Sequence, residues 1–253
     1  MWICENGSLI EVPDEEQEYP LIVSADERVD VDFWNVFQKN GSRRDYSYAF
    51  ANWSHNRIVP LYKVICENFV YLLMNATVID ASGIDIECTS QNPSVQGLCM
   101  NCTNMTKPPR LTFTTAPFVR TWTSAFAGCE SMTECEIDFG SNQLQVINPI
   151  TMRNNMQNTF FKCSALKDIT FRGMGSPKSL DLSPCINLSA ESIASLSEHL
   201  YDVSSATAGD YTIKIASTTL GECDAETIQD IEALGWTIQS VLVENPTRGE
   251  QMR

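Results

Sequence analysis

The stretch TFFKCSALKDITF, residues 159–171, decides the fold because it is one copy of a repeated pattern. Lys162, Lys167 and Asp168 interrupt its apolar residues, so it matches neither an ordinary helix nor an ordinary strand. The earlier stretch SAFAGCESMTECEIDFG (124–140) also places a phenylalanine three residues before a cysteine. In both stretches a Met or Leu follows three residues after that cysteine, and an alternating segment comes next.

Four cysteines share the pattern C-x-x-[Leu/Met], and they follow one another at steps of 27, 34 and 22 residues: Cys102, Cys129, Cys163 and Cys185. A period of this size is typical of a solenoid, in which each unit buries its apolar face against its neighbours. Cysteine is small and apolar enough to pack inside a tight turn of such a structure. We therefore predict an α/β fold: an irregular repeat solenoid with one short strand in each turn.

The alternating segments predict which residues of these strands face the core and which face solvent. Apolar residues alternate with polar ones in both copies and are expected inside: Cys135, Ile137 and Phe139 in one copy, and Ile169 and Phe171 in the next. The outward positions are Glu134, Glu136 and Asp138 in one copy and Asp168, Thr170 and Arg172 in the next. We call these six residues the strand face, and they are the candidate contact surface for a ligand or partner.

The pattern F-x-x-C-x-x-L-x-x-I resembles the irregular, cysteine-bearing leucine-rich repeats of the BspA type. FWNVFQKNGSRRDYSYAFANW (33–53) is similar to a segment that precedes such repeats in proteins of bacteriophages infecting gut bacteria. IEALGWTIQSV (231–241) resembles the last unit of those proteins. The resemblance covers roughly residues 30–243, although residues 54–98 contain no clean cysteine–leucine unit.

The resemblance implies a non-enzymatic structural protein of the virion, a component of a head or tail fibre. A fibre role implies a homotrimer that contacts other virion proteins and recognises a glycan or protein of the host surface. The alternative is a bacterial surface adhesin or protein-interaction module of the same repeat class. That alternative needs an export signal or anchor, and the N-terminal MWICENGSLIEV shows no basic or long apolar stretch of the kind.

The chain divides into five predicted segments. They are an acidic extended arm (1–28), a helical N-terminal cap (29–45), a leucine-rich-repeat array (46–188), a closing unit (189–243) and a tail (244–253). The cap contains a predicted helix from Asp30 to Gln38. The closing unit is predicted as a helix capped by Ser189, a strand at 211–217, a helix capped by Asp224 and a strand at 236–243.

The negative charge of the chain disfavours the binding of some classes of partner. The net charge is −15, and residues 1–32 alone carry −9. Such a balance repels phosphate backbones, so nucleic acid is not an expected partner. The longest apolar patch, ICENFVYLLMNATVI (65–79), is too short and too polar to cross a bilayer, so no membrane insertion is expected. The expected location is the virion, after synthesis in a host cytoplasm without export.

The sequence carries little that indicates chemistry. It has two histidines and none of the common nucleophile, phosphate-loop, dinucleotide or metalloprotease motifs. We therefore predict no catalytic residue, no cofactor and no metal. Carboxylates are plentiful, so composition alone leaves a paired-carboxylate glycosidase open as an alternative.

The ten cysteines admit three interpretations. Reduced, buried thiols are favoured, because the chain is long and lacks a secretory signal. A disulfide-stapled module is the second. A zinc site is the third, because Cys99 and Cys102 form a C-x-x-C pair that Cys129 and Cys135 follow. Structural zinc sites usually have a second tight pair, and the spacing of the last two cysteines is not tight.

Two other features have competing interpretations. Phe113, Phe118 and Trp122 lie among threonines and form either part of the core or an aromatic platform for carbohydrate. Asn-x-Ser/Thr sequons recur along the chain, among them those at Asn52, Asn75 and Asn101. Without secretion these are not glycosylated, and we expect such asparagines to bond their own backbone in turns.

Overall fold

The computed structural model describes residues 46–54, 64–114, 116, 118–140, 148–149, 151–205 and 211–243, together with short strands in the regions before and between them. These residues form a mixed α/β fold. The strands are β1 (Trp2–Glu5), β2 (Ser8–Glu11), β3 (Ile22–Val23), β4 (Asp30–Val31), β5 (Val59–Pro60), β6 (Val64–Cys66), β7 (Asp85–Cys88), β8 (Arg110–Phe113), β9 (Glu134–Asp138), β10 (Asn154–Asn155), β11 (Asp168–Arg172), β12 (Pro177–Lys178), β13 (Leu180–Asp181), β14 (Thr212–Ala216) and β15 (Thr237–Val241). The helices are α1 (Ala190–Ser197), α2 (Ser217–Glu222) and α3 (Ala225–Ala233).

From residue 64 onward every strand pairing is parallel. Strands β6, β7 and β8 form one sheet, and β13, β14 and β15 form another. Two further pairs join β9 to β11 and β10 to β12. Parallel pairing needs a crossover between consecutive strands, and here that crossover consists mainly of turns.

The crossover turns stack on one another through backbone hydrogen bonds. Tyr48 N donates to Val70 O at 3.1 Å, and Leu73 N donates to Leu98 O at 2.8 Å. The series continues from Cys99 N to Ala125 O and from Phe126 N to Thr159 O. Each turn therefore satisfies the backbone of the turn before it, and a turn left without its neighbour would lose those bonds.

The sequon asparagines do occupy turns, but their bonding differs from the prediction. Asn52, Asn75 and Asn101 have φ angles of 61°, 59° and 61°. Asparagine tolerates this left-handed conformation better than most residues do. Their side-chain amides bond one another in a ladder, 3.1 Å from Asn75 to Asn52 and 3.1 Å from Asn101 to Asn75, so the amide satisfies a neighbouring turn.

The core is continuous through these units and contains the repeat cysteines. Cys102 Sγ donates to Leu73 O at 2.9 Å, and Cys129 Sγ donates to Cys99 O at 3.0 Å. Cys163 Sγ does the same to Phe126 O at 3.1 Å. A thiol fits here because it packs like a small apolar group and still donates a weak hydrogen bond to a buried carbonyl.

The prediction for the strands after the cysteines is confirmed. β9 and β11 cover the alternating segments, with Cys135, Ile137, Ile169 and Phe171 buried and the alternate polar residues more exposed. The two strands pair in register, from Asp168 opposite Glu134 to Arg172 opposite Asp138.

The predicted elements of the closing segment are also present. The Ser189 side chain accepts a hydrogen bond from Ser192 N and begins α1, which ends at Ser197. Asp224 accepts from Thr227 N at 2.6 Å and begins α3. Strands β14 and β15 lie where they were predicted. Helix α2 was not predicted, because it is only six residues long and has no side-chain cap.

The N-terminal predictions are partly wrong. Residues 1–28 were predicted as an extended arm, and within them β1 pairs with β2, while β3 pairs with β4 and β5. The predicted helix from Asp30 to Gln38 begins instead in β4. Valines alternate with aspartates here, and β-branched residues favour a strand. Residues 32–45 and the tail (244–253) lie outside the described residues.

Helices are few and short throughout the described ranges. The longest, α3, has nine residues. No helix of the described part has the length and apolar character that a bilayer crossing requires.

Candidate binding face on the parallel strands

The structure brings the six predicted residues of the strand face together. Pairing of β9 with β11 places Glu134 beside Asp168, Glu136 beside Thr170 and Asp138 beside Arg172. Because side chains alternate along a strand, all six lie on the side opposite the buried cysteine, isoleucines and phenylalanine. The strand face is therefore a single surface formed by two strands.

Strands β7 and β8 continue the same surface, and this part was missed. Their register places Asp85 beside Arg110 and Glu87 beside Thr112. Strand β7 lies within 54–98, which has no clean cysteine–leucine unit, so the cysteine pattern did not point to it. The period-2 alternation of DIEC and RLTF is the signal that could have revealed both strands.

Two ion pairs cross the face. Lys107 Nζ lies 3.0 Å from Glu134 Oε1, and Arg172 lies 2.9 Å from Glu136. The hydrogen bond to Glu134 raises the pKa of Lys107. All four side chains are at least one-third exposed, so solvent screens these pairs and they add little to stability. Their main effect is to orient charged groups at the surface.

Two neighbouring carboxylates of the face are partly removed from water. Burial raises the pKa of Glu136, and Arg172 opposes that shift. Burial also raises the pKa of Asp138, although Gly140 N donates to its carboxylate at 2.8 Å and opposes the shift. A catalytic general acid and general base need environments that shift their two pKa values in opposite directions. The pKa values of Glu136 and Asp138 are instead both raised.

A groove separates β8 from β9. The described strands on either side are paired, β7 with β8 and β9 with β11, but no pairing joins β8 to β9. Thr133 N still donates to Thr106 O at 3.1 Å just before the strands begin. The chain then takes one residue more from Thr106 to Phe113 than from Thr133 to Phe139. The longer segment contains Pro108 and Pro109, and a proline cannot donate a ladder hydrogen bond.

The groove has a mixed lining. Prolines, a leucine and a cysteine line it together with charged and hydroxyl side chains: Ser82, Asp85, Lys107, Pro108, Pro109, Arg110, Leu111, Thr112, Glu134, Cys135, Glu136, Thr170 and Arg172. Four of these belong to the predicted strand face, and Asp138 and Asp168 do not line the groove.

The structure does not support the interpretation of Phe113, Phe118 and Trp122 as an aromatic platform for carbohydrate. Phe113 and Phe118 are 6% exposed and Trp122 is 0% exposed, so their faces are not open to a sugar ring. Phe113 and Trp122 meet edge to face with ring centroids 6.4 Å apart. Trp122 also packs against Phe126. These rings belong to the core, as the competing interpretation held.

The surroundings of the four cysteines considered for zinc do not favour metal binding. The thiols of Cys102 and Cys129 donate to backbone carbonyls. Burial raises the pKa of Cys99, Cys129 and Cys135, which favours the protonated thiol over the thiolate that zinc binds. Within the described ranges, no three His, Cys, Asp or Glu side chains are grouped so that they could hold a metal ion. The nine cysteines whose side chains the structure describes are free thiols.

Comparison with protein-family models, with curated proteins and with solved structures finds no match for this chain. The interpretation of the strand face therefore rests on its residues and their geometry. That geometry supplies a charged, solvent-facing surface on a hydrogen-bonded support, which is suited to contacting another molecule.

Proposed function

We propose that this chain is a non-enzymatic structural protein of a bacteriophage virion, a component of a head or tail fibre. In this proposal, a leucine-rich-repeat solenoid supplies assembly contacts and recognises the host surface. The observation that carries the proposal is the in-register stacking of β9 on β11, which buries one side of both strands and presents charged groups on the other.

Three repeated contacts support the solenoid. The turns stack through backbone bonds, the asparagines form an amide ladder, and the cysteine thiols reach carbonyls of the preceding unit. In each case the partners lie 22 to 37 residues apart in sequence, as with Tyr48 and Val70 or Cys163 and Phe126. Contacts between sequence neighbours of this spacing are what a repeat array requires.

The phage origin is supported by the sequence resemblance at 33–53 and 231–241. The N-terminal charge fits an assembly role, since a segment that carries −9 over residues 1–32 favours a partner with a basic surface. The partner proposed for this segment is another virion protein. The strand face then stays available for a glycan or protein of the host.

Oligomeric state tests the fibre role. Light scattering coupled to gel filtration should give a trimer of the 28.3 kDa chain. Deleting residues 1–28 would also remove β3, which pairs with β5. A full-length variant is therefore cleaner, in which Asp14, Glu15, Glu16 and Glu18 become Asn or Gln. If the trimer forms through this segment, the neutralised variant dissociates at a higher protein concentration than the natural chain.

Location tests the virion role. Antibodies against the chain should decorate purified phage particles in electron micrographs. A monomer at micromolar concentration that is absent from purified particles would refute the proposal. A monomer that is present in particles would replace the trimeric fibre with a single-copy decorating protein.

A further inference from the structure

We propose that the groove between β8 and β9 binds a neutral oligosaccharide. This inference rests on the proposed function and names the class of host-surface molecule that the strand face would recognise. It depends on three features of the groove: unpaired backbone groups, an apolar base and a rim of balanced charge.

Backbone groups face the groove without partners across it. In parallel sheets, alternate residues of a strand bond the neighbour on one side. Arg110 N donates to Ile84 O at 2.9 Å, so the next residue, Leu111, has its N–H and C=O directed towards β9. Asp168 N donates to Thr133 O, so the backbone of Glu136 is directed towards β8 by the same alternation. No strand pairing joins these two described strands, so donors and acceptors remain there for a ligand.

The base of the groove is apolar. Pro108 and Leu111 are half-buried and line the groove, whereas Arg110 and Thr112 are exposed. The two half-buried apolar residues form the base, and the exposed residues form the rim. A pyranose ring has an apolar C–H face and a rim of hydroxyls, so it can place the face on the base and the hydroxyls at the rim.

The rim carries equal numbers of positive and negative side chains. The cations are Lys107, Arg110 and Arg172, and the anions are Asp85, Glu134 and Glu136. Because the charges balance, neither an anionic sugar nor an amino sugar gains a net electrostatic attraction from this rim. A neutral sugar needs no such attraction, since its hydroxyls can donate to the acids and accept from the bases.

The two ion pairs prepare this rim. Lys107 and Glu134 are held at 3.0 Å, and Arg172 and Glu136 at 2.9 Å. Each carboxylate has more acceptor sites than one ion pair uses, and each cation has more donors. The pairs therefore fix the side chains in place and leave hydrogen-bonding capacity for a ligand.

Isothermal titration calorimetry on the full chain tests the inference. The probes are maltohexaose, the hexamer of N-acetylglucosamine and a hexamer of galacturonic acid. Two variants change the groove: Thr112→Trp fills it, and Arg110→Ala removes a rim donor. Thr103→Trp is the matched control, because Thr103 is exposed and does not line the groove.

We expect at least one neutral hexamer to bind. Thr112→Trp should then weaken binding by about tenfold or more, Arg110→Ala should weaken it less, and Thr103→Trp should leave it unchanged. Equal losses in the groove variants and the control would overturn the site, and preference for the galacturonate hexamer would overturn the ligand class. Absence of binding to all three probes would overturn the inference and leave the fibre role, which oligomeric state and particle location test separately.

Discussion

Asn101 donates its side-chain amide to the side-chain oxygen of Asn75 across 3.1 Å, although 26 residues separate the two along the chain. Both residues have a positive φ, so each combines a backbone conformation that few residues accept with a bond to the next unit. The amide ladder ends at Gly128, which has a φ of 80° and no side chain to continue it. A Cβ added at Gly128 would lie only 2.7 Å from Asn101 Oδ1.

This relationship predicts a graded response at position 75. Asn75→Gly keeps the left-handed turn but removes two exposed amide bonds, so it should lower the free energy of unfolding by about 1 kcal/mol. Asn75→Ala removes the same two bonds, and alanine tolerates the left-handed region less well than asparagine or glycine, so this variant should cost about 2 kcal/mol in total. Urea unfolding measures both. Equal stabilities of the Gly and Ala variants would show that φ at this position does not constrain the residue.

The repeat cysteines predict a loss of stability when the thiol is removed. Cys129 is fully buried and donates to Cys99 O at 3.0 Å. Cys129→Ala deletes the packed sulfur and one of the two hydrogen bonds to Cys99 O, which still accepts from Cys102 N, so it should destabilise the chain by about 1–3 kcal/mol. The matched control is Cys223→Ala, since Cys223 is only half-buried and should cost about 0.5 kcal/mol or less. A control variant as unstable as Cys129→Ala would contradict this account.

The part of the fold that carries the cysteine pattern could be predicted from the sequence. The cysteine aligns two copies, and the alternation after it assigns the inward side to Ile137 and Ile169. The capping residues Ser189 and Asp224 mark helices for an equally local reason, because a cap acts within three residues.

The rest depended on relations that are not local. The hydrogen bond from Asn75 N to Met100 O places Asn75 in the same turn position as Asn101. The residue after it, Ala76, therefore takes the position that Cys102 has in the next turn. The turn that contains Ala76 thus has no cysteine by which the sequence pattern could find it. The groove lies where β8 and β9 do not pair, and the sequence does not show which strands from separate units pair and which do not. The sequence left Phe113, Phe118 and Trp122 open between core and platform, because alternation shows which residues share a side and does not show which side is covered.

Burial predicts a clear order of thiol reactivity. It raises the pKa of Cys163 to about 12 and raises the pKa of Cys185 as well. Cys223 has a raised pKa too, but its side chain is partly accessible. Iodoacetamide at pH 8 should therefore alkylate Cys223 before the other two, because the reagent attacks an accessible thiolate. Mass spectrometry of the modified peptides gives the order, and rapid labelling of Cys163 in the native chain would refute it.

Asp138 predicts a pH dependence of stability with a defined sign. Its pKa is raised by burial, so folding disfavours its charged form, and the cost is greatest above the folded-state pKa. As the pH falls through that pKa the folded carboxyl takes up a proton, and the cost disappears at pH values below the unfolded pKa. Asp138→Asn keeps an oxygen that can accept from Gly140 N but removes the charge.

The variant should therefore be more stable than the natural chain at pH 7, and the difference should vanish below about pH 3.8, the ordinary pKa of aspartate. Urea unfolding at several pH values measures the difference. The control is Asp230→Asn, a residue of α3 on which no comparable burial acts. A natural chain that is more stable than Asp138→Asn at pH 7 would mean that the attraction of Arg172 and His199 outweighs burial, since both residues lower the pKa of Asp138.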